Sequence, residues 1–535
     1  MRLTVYLLVA AIIIMICVAL NKVSSKIGIP VLLTFILLGM VFGSDGIFKI
    51  EFDNFDFAEQ ICSIALIFIM FYGGFGTKWS EAKPVAVPAI LLSTLGVVMT
   101  AGLTGLFCHF VLGMPLLESF LIGSVISSTD AASVFSILRS KRLNLKYRTA
   151  SMLEVESGSN DPCSYMLTAI MISIMSGEGD AKKITLMVFE QFAWAIMAGI
   201  LIAVAALWIL RRAQFAAAGF DAIFVMAIAI LSYAFPAYLG GNGYLGTYLV
   251  GMILGNNKIK NQSSLVHFFD GITGLMQMVI FFLLGLLTFP SRLPGVFWTA
   301  LAIALFLTFV ARPAVVFTIL SPMKCKLNQK LLVSWAGLRG AASIVFAIMA
   351  VIGQSEIESD LFHLVFCIVL FSILFQGSLI PYMAKKLNMI DEDTDVFKTF
   401  NDYTEEVPVQ FIKAPVSTGH PWVGKELQEI LLPPGTLIVL IQRGEEKIVP
   451  NGSTRLEEGD ILILSAAALE KEIKGISLTE ILVLPGHKWV GKPISEVASD
   501  PDKLIIMIQR KGEIVIPNGS TILQENDKLV FNESI

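Results

Sequence analysis

The sequence predicts a polytopic α-helical membrane protein followed by two small cytoplasmic α/β modules. Three observations carry this reading. The 535 residues are 55% hydrophobic and 15% charged, with a mean hydropathy of +0.75, whereas soluble chains average nearer a quarter charged. Long apolar runs recur as far as about Pro381, and beyond residue 388 a soluble composition contains an internal repeat.

Runs able to cross about 30 Å of hydrocarbon lie near residues 4–20, 28–43, 58–75, 84–111, 115–138, 149–175, 187–210, 216–236, 243–256, 264–288, 296–320, 330–353 and 359–384, about thirteen spans in all. The first has no convincing small-x-small cleavage site, so it reads as a retained helix rather than a signal peptide. The odd-numbered loops carry the basic residues, among them Lys22/Lys26, Lys78/Lys83, Arg139/Lys141/Arg142/Lys146/Arg148, Arg211/Arg212, Lys258/Lys260 and Lys324/Lys326/Lys330. Even loops are short or acidic. Basic loops stay in the cytoplasm, which places the N-terminus outside and everything after Lys385 inside. The six cysteines stand singly at 17, 62, 108, 163, 325 and 367, a pattern that fits no disulfide scaffold, zinc ribbon or iron–sulfur cluster. Five scattered histidines offer no nucleophile–base pair, and no cofactor or nucleic-acid partner is indicated.

The expected boundaries are a transmembrane domain over 1–388, a linker over 389–404, and modules over 405–470 and 471–535. "GHPWVGKELQEI" from Gly419 returns as "GHKWVGKPISEV" from Gly486, "IQR" recurs at 441–443 and 508–510, and "PNGST" at 450–454 and 517–521. A gapless repeat of short β-branched runs between Asn-Gly and Gly-Asp turns reads as folded strands and hairpins.

The chemistry lies in spans five and six. Ser127, Ser128, Thr129 and Asp130 interrupt an apolar run with four residues that bond their own backbone, so a helix break is expected there. A break at membrane depth is tolerated where it lines a cavity or is buried in protein. Its loose carbonyls and helix ends then coordinate a small cation. The alternative is that Asp130 only caps a kinked helix. In "MLEVESGSNDPCSYMLTAIMI", Ser157 and Asp161 share a helix face, with Asn160 beside them and Glu156 a turn back. These are hard oxygen ligands suited to an alkali cation or a proton. An ionised group in this setting costs about 2.5–3.5 kcal/mol or more, so Glu156 needs a partner. Arg339 in "WAGLRGAASIVFA" is the expected one, forming a structural ion pair. Glu154 lies near the inner end of its span. Arg312, before Pro313, is a second buried cation with no assigned partner.

These motifs, with "ARPAVV", "GLRGA" and "YLGGNGYLGTYLVGMILGN", resemble the NhaP-type branch of the monovalent cation:proton antiporters over roughly residues 1–390. The resemblance implies inverted repeats with broken helices, a homodimer, and a core domain that carries the ion by alternating access. It places the cation/proton site on Thr129, Asp130, Ser157 and Asp161, with Asn160 replacing a second aspartate of the electrogenic branch. The Glu156–Arg339 pair matches a structural ion pair of the family. Some members carry an acidic residue in span three, where this chain has Phe71-Tyr72-Gly73-Gly74. The tail resembles tandem RCK_C (TrkA-C) modules, which usually accompany potassium transport and bind small regulatory nucleotides, cyclic di-AMP among them. Arg443, Arg510 and the Asn-Gly turns are its candidate contacts. No G-x-G-x-x-G strand–turn–helix precedes the modules, so no NAD control is expected. The expected function is electroneutral K+/H+ exchange in a bacterial cytoplasmic membrane, with Na+/H+ exchange as the alternative. A ligand-gated potassium channel, raised by "YGGFG" at 72–76, lacks a pore-helix segment around that stretch.

Overall fold

The computed structural model describes residues 2–27, 31–140, 143–177, 179–212, 219–257, 259, 262–353, 357–391, 409–417, 420–432, 436–444, 446–467, 476–483, 487, 489–497, 503–510, 513–515, 517 and 519–534. It divides into two compact units, Met1–Glu405 and Glu406–Ile535.

In the first unit each expected span contains helix among its described residues. The elements are α1 (Arg2–Ile27), α2 (Val31–Phe42), α3 (Phe55–Gly76), α4 (Trp79–Ala82), α5 (Ala86–Ser93), α6 (Leu95–Phe110), α7 (Leu116–Val125), α8 (Ala131–Ser140), α9 (Thr149–Met175), α10 (Ala181–Arg212), α11 (Phe220–Tyr238), α12 (Gly243–Gly255), α13 (Gln262–Leu287), α14 (Leu293–Phe306), α15 (Arg312–Leu320), α16 (Leu327–Trp335), α17 (Ala341–Gly353), α18 (Leu361–Phe371) and α19 (Ser378–Lys386). Among the described residues, seven helical segments are long and apolar enough to cross a bilayer. The remaining spans are shorter, broken or charged.

Two spans are broken. α7 stops at Val125 and α8 starts at Ala131; α16 stops at Trp335 and α17 starts at Ala341. The two unwound stretches meet, with the Asp130 N–H donating to Leu338 O at 2.8 Å. A Cβ on Gly340 would fall 2.4 Å from that of Asp130, so only glycine permits this approach. The first break was legible in its hydroxyl run. The second was not, because "AGLRG" offers no such run. The sequence after each break begins alike, with Ala-Ala-Ser at 131–133 and at 341–343. Thr129-Asp130 of one half therefore corresponds to Arg339-Gly340 of the other.

Spans eleven and thirteen each contain a π-helical turn, Leu307–Ala311 and Ser372–Gly377. Each such turn adds a residue and rotates the faces that follow it. The "YGGFG" stretch belongs to α3 and packs on α12, where Cβ atoms on Gly74 and Gly251 would lie 2.2 Å from Tyr248 O and Phe71 O. These glycines let two helices touch; the stretch is not a filter loop.

Each half of the tail is a four-stranded antiparallel sheet. β1 (Val409–Pro415), β2 (Thr436–Arg443), β3 (Glu446–Ile448) and β4 (Ile461–Ala467) order as β1-β4-β2-β3. β5 (Ile476–Leu482), the short α20 (Ile494–Val497), β6 (Lys503–Arg510), β7 (Glu513–Val515) and β8 (Lys528–Ser534) repeat the plan as β5-β8-β6-β7. Even the register shift recurs, at Ile438/Leu440 and Ile505/Met507. The two arginines expected as ligand contacts, Arg443 and Arg510, are each bound within their own module. Arg443 Nε and Nη2 donate to the buried Asp460 at 2.8 and 2.9 Å, and Arg510 Nε and Nη2 donate to the buried Asp527 at 2.8 and 2.7 Å. Each also donates to a backbone carbonyl, of Arg455 or Ile522. Both guanidiniums are therefore clamps that close their own module.

Arg443→Gln leaves Asp460 buried without its cation, an expected loss of about 1–3 kcal/mol. Chemical denaturation of fragment 406–535 measures it, and an unchanged midpoint would show the clamp to be idle. Hydrogen bonding from Arg443 holds the Asp460 carboxyl below its ordinary range. At Asp527 burial opposes ionisation, but bonds from Arg510 and the Gln524 N–H outweigh it and also lower the pKa. A lowered folded pKa contributes stability above the unfolded value of about 3.9, and that contribution is lost as pH falls through the folded value. Stability of the fragment should thus fall on acidification below about pH 4, and less steeply in the Asp460→Asn, Asp527→Asn double variant.

Candidate ion-binding site

The break between α7 and α8 presents Ser128, Thr129 and Asp130 to α9. Ser157 Oγ donates to Thr129 O at 2.9 Å, and Asn160 Nδ2 donates to Thr129 Oγ1 at 2.6 Å. Ser127 and Ser164 lock the turn before them, with Ser164 Oγ donating to Ser124 O at 2.6 Å. Asp130 caps α8, accepting from the Ser133 N–H at 3.2 Å and from the Ser133 hydroxyl. The capping role therefore holds, and it coexists with a place on the cavity wall.

That cavity has a volume of about 460 Å³ and is walled by α3, α9, α12, α13 and the crossing. Thr129, Asp130, Ser157 and Asp161 all line it. Asn160 is buried behind the wall and orients Thr129; its Oδ1 accepts no hydrogen bond. Asp161 is buried, at 8% exposed. Pro162 follows it and has no N–H to offer the Gly158 carbonyl, which releases that carbonyl from the helix ladder at the cavity wall. A Cβ on Gly158 would lie 2.2 Å from the Tyr248 ring, so the glycine also lets α12 close over the site. Hydroxyl, carbonyl and carboxylate oxygens around one volume suit an alkali cation or a proton. Among the described residues no His/Cys/Asp/Glu cluster suits a multivalent metal.

Sequence reasoning missed the far wall. Glu154 and, on α13, Asp270, Thr273 and Gln277 also line the cavity, and Tyr72 Oη donates to Asp270 Oδ1 at 3.3 Å. The signal was present, since Asp270 is the sole acidic residue of the run from Gln262 to Leu287.

The buried pair needs a correction. Glu156 is ion-paired to Arg312, Nη2 to Oε1 at 2.6 Å, with both side chains almost wholly buried. Arg339 instead donates from Nη1 to the carbonyls of Ser127 and Ser128 at 2.8 and 2.6 Å, while its backbone N–H donates to Ser372 Oγ at 3.0 Å. The π-helical turn before Arg312 brings it to face α9. Gly337 leaves room for it, because a Cβ there would meet Arg312 Nε at 2.8 Å.

Residues 10–386 match the family described as sodium/hydrogen exchanger, transmembrane, and residues 412–468 and 478–531 each match the TrkA-C domain. The chain belongs to the sodium/hydrogen exchanger family. The exchanger is 32% identical over 478 residues to the K(+)/H(+) antiporter NhaP2 of Shewanella baltica, covering 88% of this chain and 82% of that protein. It is 37% identical over 386 residues to the K(+)/H(+) antiporter NhaP of Alkalimonas amylolytica, covering 72% and 67%. Its fold matches the sodium proton antiporter MjNhaP1 from Methanocaldococcus jannaschii with a TM-score of 0.63 at 23% identity, over 72% of this chain and 99% of that one. The exchanger is thus a multi-pass membrane transporter with TrkA-C modules after its transport unit.

Removing either member of a buried pair leaves a lone charge, at a cost of about 3–5 kcal/mol. Glu156→Gln and Arg312→Gln should each lower the melting temperature of the exchanger in detergent, and the charge-swapped double variant should recover part of the loss. Parental melting in both single variants would dissolve the pair.

Proposed function

We propose that the chain exchanges a monovalent cation for a proton, with potassium as the principal substrate and sodium as the second candidate. The observation that carries this is the buried Asp161 on the wall of a cavity it shares with Thr129, Asp130 and Ser157. A carboxylate there holds a proton or a partly dehydrated cation, not both. Each excursion of the core therefore carries one or the other. Two relatives named as K(+)/H(+) antiporters favour potassium; the oxygen ligands themselves do not choose between the two ions.

Asn160 contributes no charge, so one cation exchanged for one proton moves no net charge, and the cycle is indifferent to a potential worth about 2.3 kcal/mol per charge per 100 mV. The chain works as a homodimer in a bacterial cytoplasmic membrane, with its N-terminus outside and its tail inside. The basic odd-numbered loops support that orientation. The transport domain (1–388), linker (389–404) and modules (405–470 and 471–535) divide the labour between exchange and its control. The modules take a small regulatory ligand, with cyclic di-AMP as the first candidate, and the part-exposed Arg443 and Arg510 remain its candidate contacts.

Asp161→Asn should reduce cation-driven dequenching of a pH dye in everted vesicles to background while the protein still inserts; parental exchange would remove the site. Apparent affinities for potassium and sodium at several pH values identify the ion, and exclusive sodium transport would refute the potassium assignment. Asn160→Asp should make exchange in proteoliposomes respond to an imposed potential.

A further inference from the structure

The last described residues of the transport unit form an isolated β-bridge that nothing in the exchange mechanism uses. α19 ends in a left-handed residue, Asn388 at φ 51°, with the N–H groups of Leu387, Asn388 and Met389 returning to the carbonyls of Met383, Lys385 and Ala384. The chain then runs antiparallel to the segment that leads into α9. The Lys146 N–H donates to Met389 O at 2.8 Å, the Asp391 N–H donates to Asn144 O at 3.0 Å, and Leu145 and Ile390 face each other between these bonds. Met389 and Leu145 are buried in one core with Met152 and Leu153 of α9.

Next to this bridge the backbone is strained. Tyr147 and Arg148 stand in succession at φ 58° and 53°, a conformation that non-glycine residues avoid. They sit between the bridge and the first residue of α9. Tyr147 is held in turn by the start of α16, through Lys326 Nζ donating to its hydroxyl at 3.0 Å and Gln329 Nε2 donating to its carbonyl at 3.4 Å. Asn328 Nδ2 donates to Leu387 O at 2.9 Å. One node therefore joins the helix that carries Asp161, a broken helix of the crossing, and the covalent exit to the tail.

We propose that Met389–Asp391 is a positioning bridge segment through which the tail modules set the affinity and pH dependence of exchange. While the bridge holds, Tyr147 and Arg148 stay left-handed and α9 is fixed against the crossing. When ligand or assembly of the modules draws on the exit segment, the bridge yields, both residues relax, and the entry of α9 shifts with Asp161 on it. A ligand acts only by its differential affinity for the two states, and the bridge gives the tail two states to distinguish. This inference rests on the exchanger reading above.

Leu145 and Ile390 occupy a pair whose flanking bonds point away from each other, the geometry with the shortest Cα separation, so Leu145→Cys with Ile390→Cys should form a disulfide across the bridge. Cation affinity and pH profile are measured in proteoliposomes for the full chain and for the chain without 406–535. In the parent, deleting the tail should shift both. In the oxidised double-cysteine variant the deletion should shift neither, and reductant should restore the difference in the same sample. Asp391→Pro, which removes one bridging N–H, should move the full chain toward the tail-deleted profile, whereas Asp391→Ala should not. The inference is overturned if the tail still acts through the locked bridge, if Asp391→Pro behaves as the parent, or if the parent exchanges ions without regard to its tail. A parent that exchanges nothing would overturn the exchanger reading together with this inference.

Discussion

The contact between the Arg339 guanidinium and the carbonyls of Ser127 and Ser128 is the constraint on which the transport unit depends. Breaking two helices inside a bilayer strips several backbone groups of partners, and unpaired groups are intolerable in hydrocarbon. The chain solves this by making each break serve the other. Arg339 takes up the loose carbonyls that end α7, the Asp130 N–H takes up Leu338 O, and the Asp130 carboxylate caps α8.

The bundle was legible because bilayer thickness fixes span length and the basic loops alternate in register. The break in span five was legible because four successive hydroxyl and carboxylate residues compete with a helix ladder. Partner assignment failed at Glu156 for a definite reason. Two buried arginines were available, and the choice turned on the face presented by α15 (Arg312–Leu320). That face is set by a π-helical turn, and the plain apolar run Leu307–Ala311 does not announce it. Asp270 lies outside the motif-bearing spans, although a lone carboxylate in an apolar helix is itself a signal.

The tail teaches a different lesson. Its strands and its duplication could be read from the spacing of identical words, and the structure repeats them down to the bulge. The role of Arg443 and Arg510 could have been read by the same method. In both copies an aspartate follows the arginine at the same interval of seventeen residues, and a pair preserved across a duplication points inward to the module's own closure.

The two halves of the crossing are not equivalent in content. Where the first offers a threonine hydroxyl and a carboxylate, the second offers a tethered guanidinium and a glycine. The second half thus resembles the first with its cation permanently installed, and a fixed positive charge repels any mobile one. The side-chain oxygens that the two breaks bring to the cavity, on Ser128, Thr129 and Asp130, therefore all come from one of them, while Gly340, Ala341 and Ala342 of the other bring only backbone, so two breaks with like sequences build a cavity that is chemically one-sided.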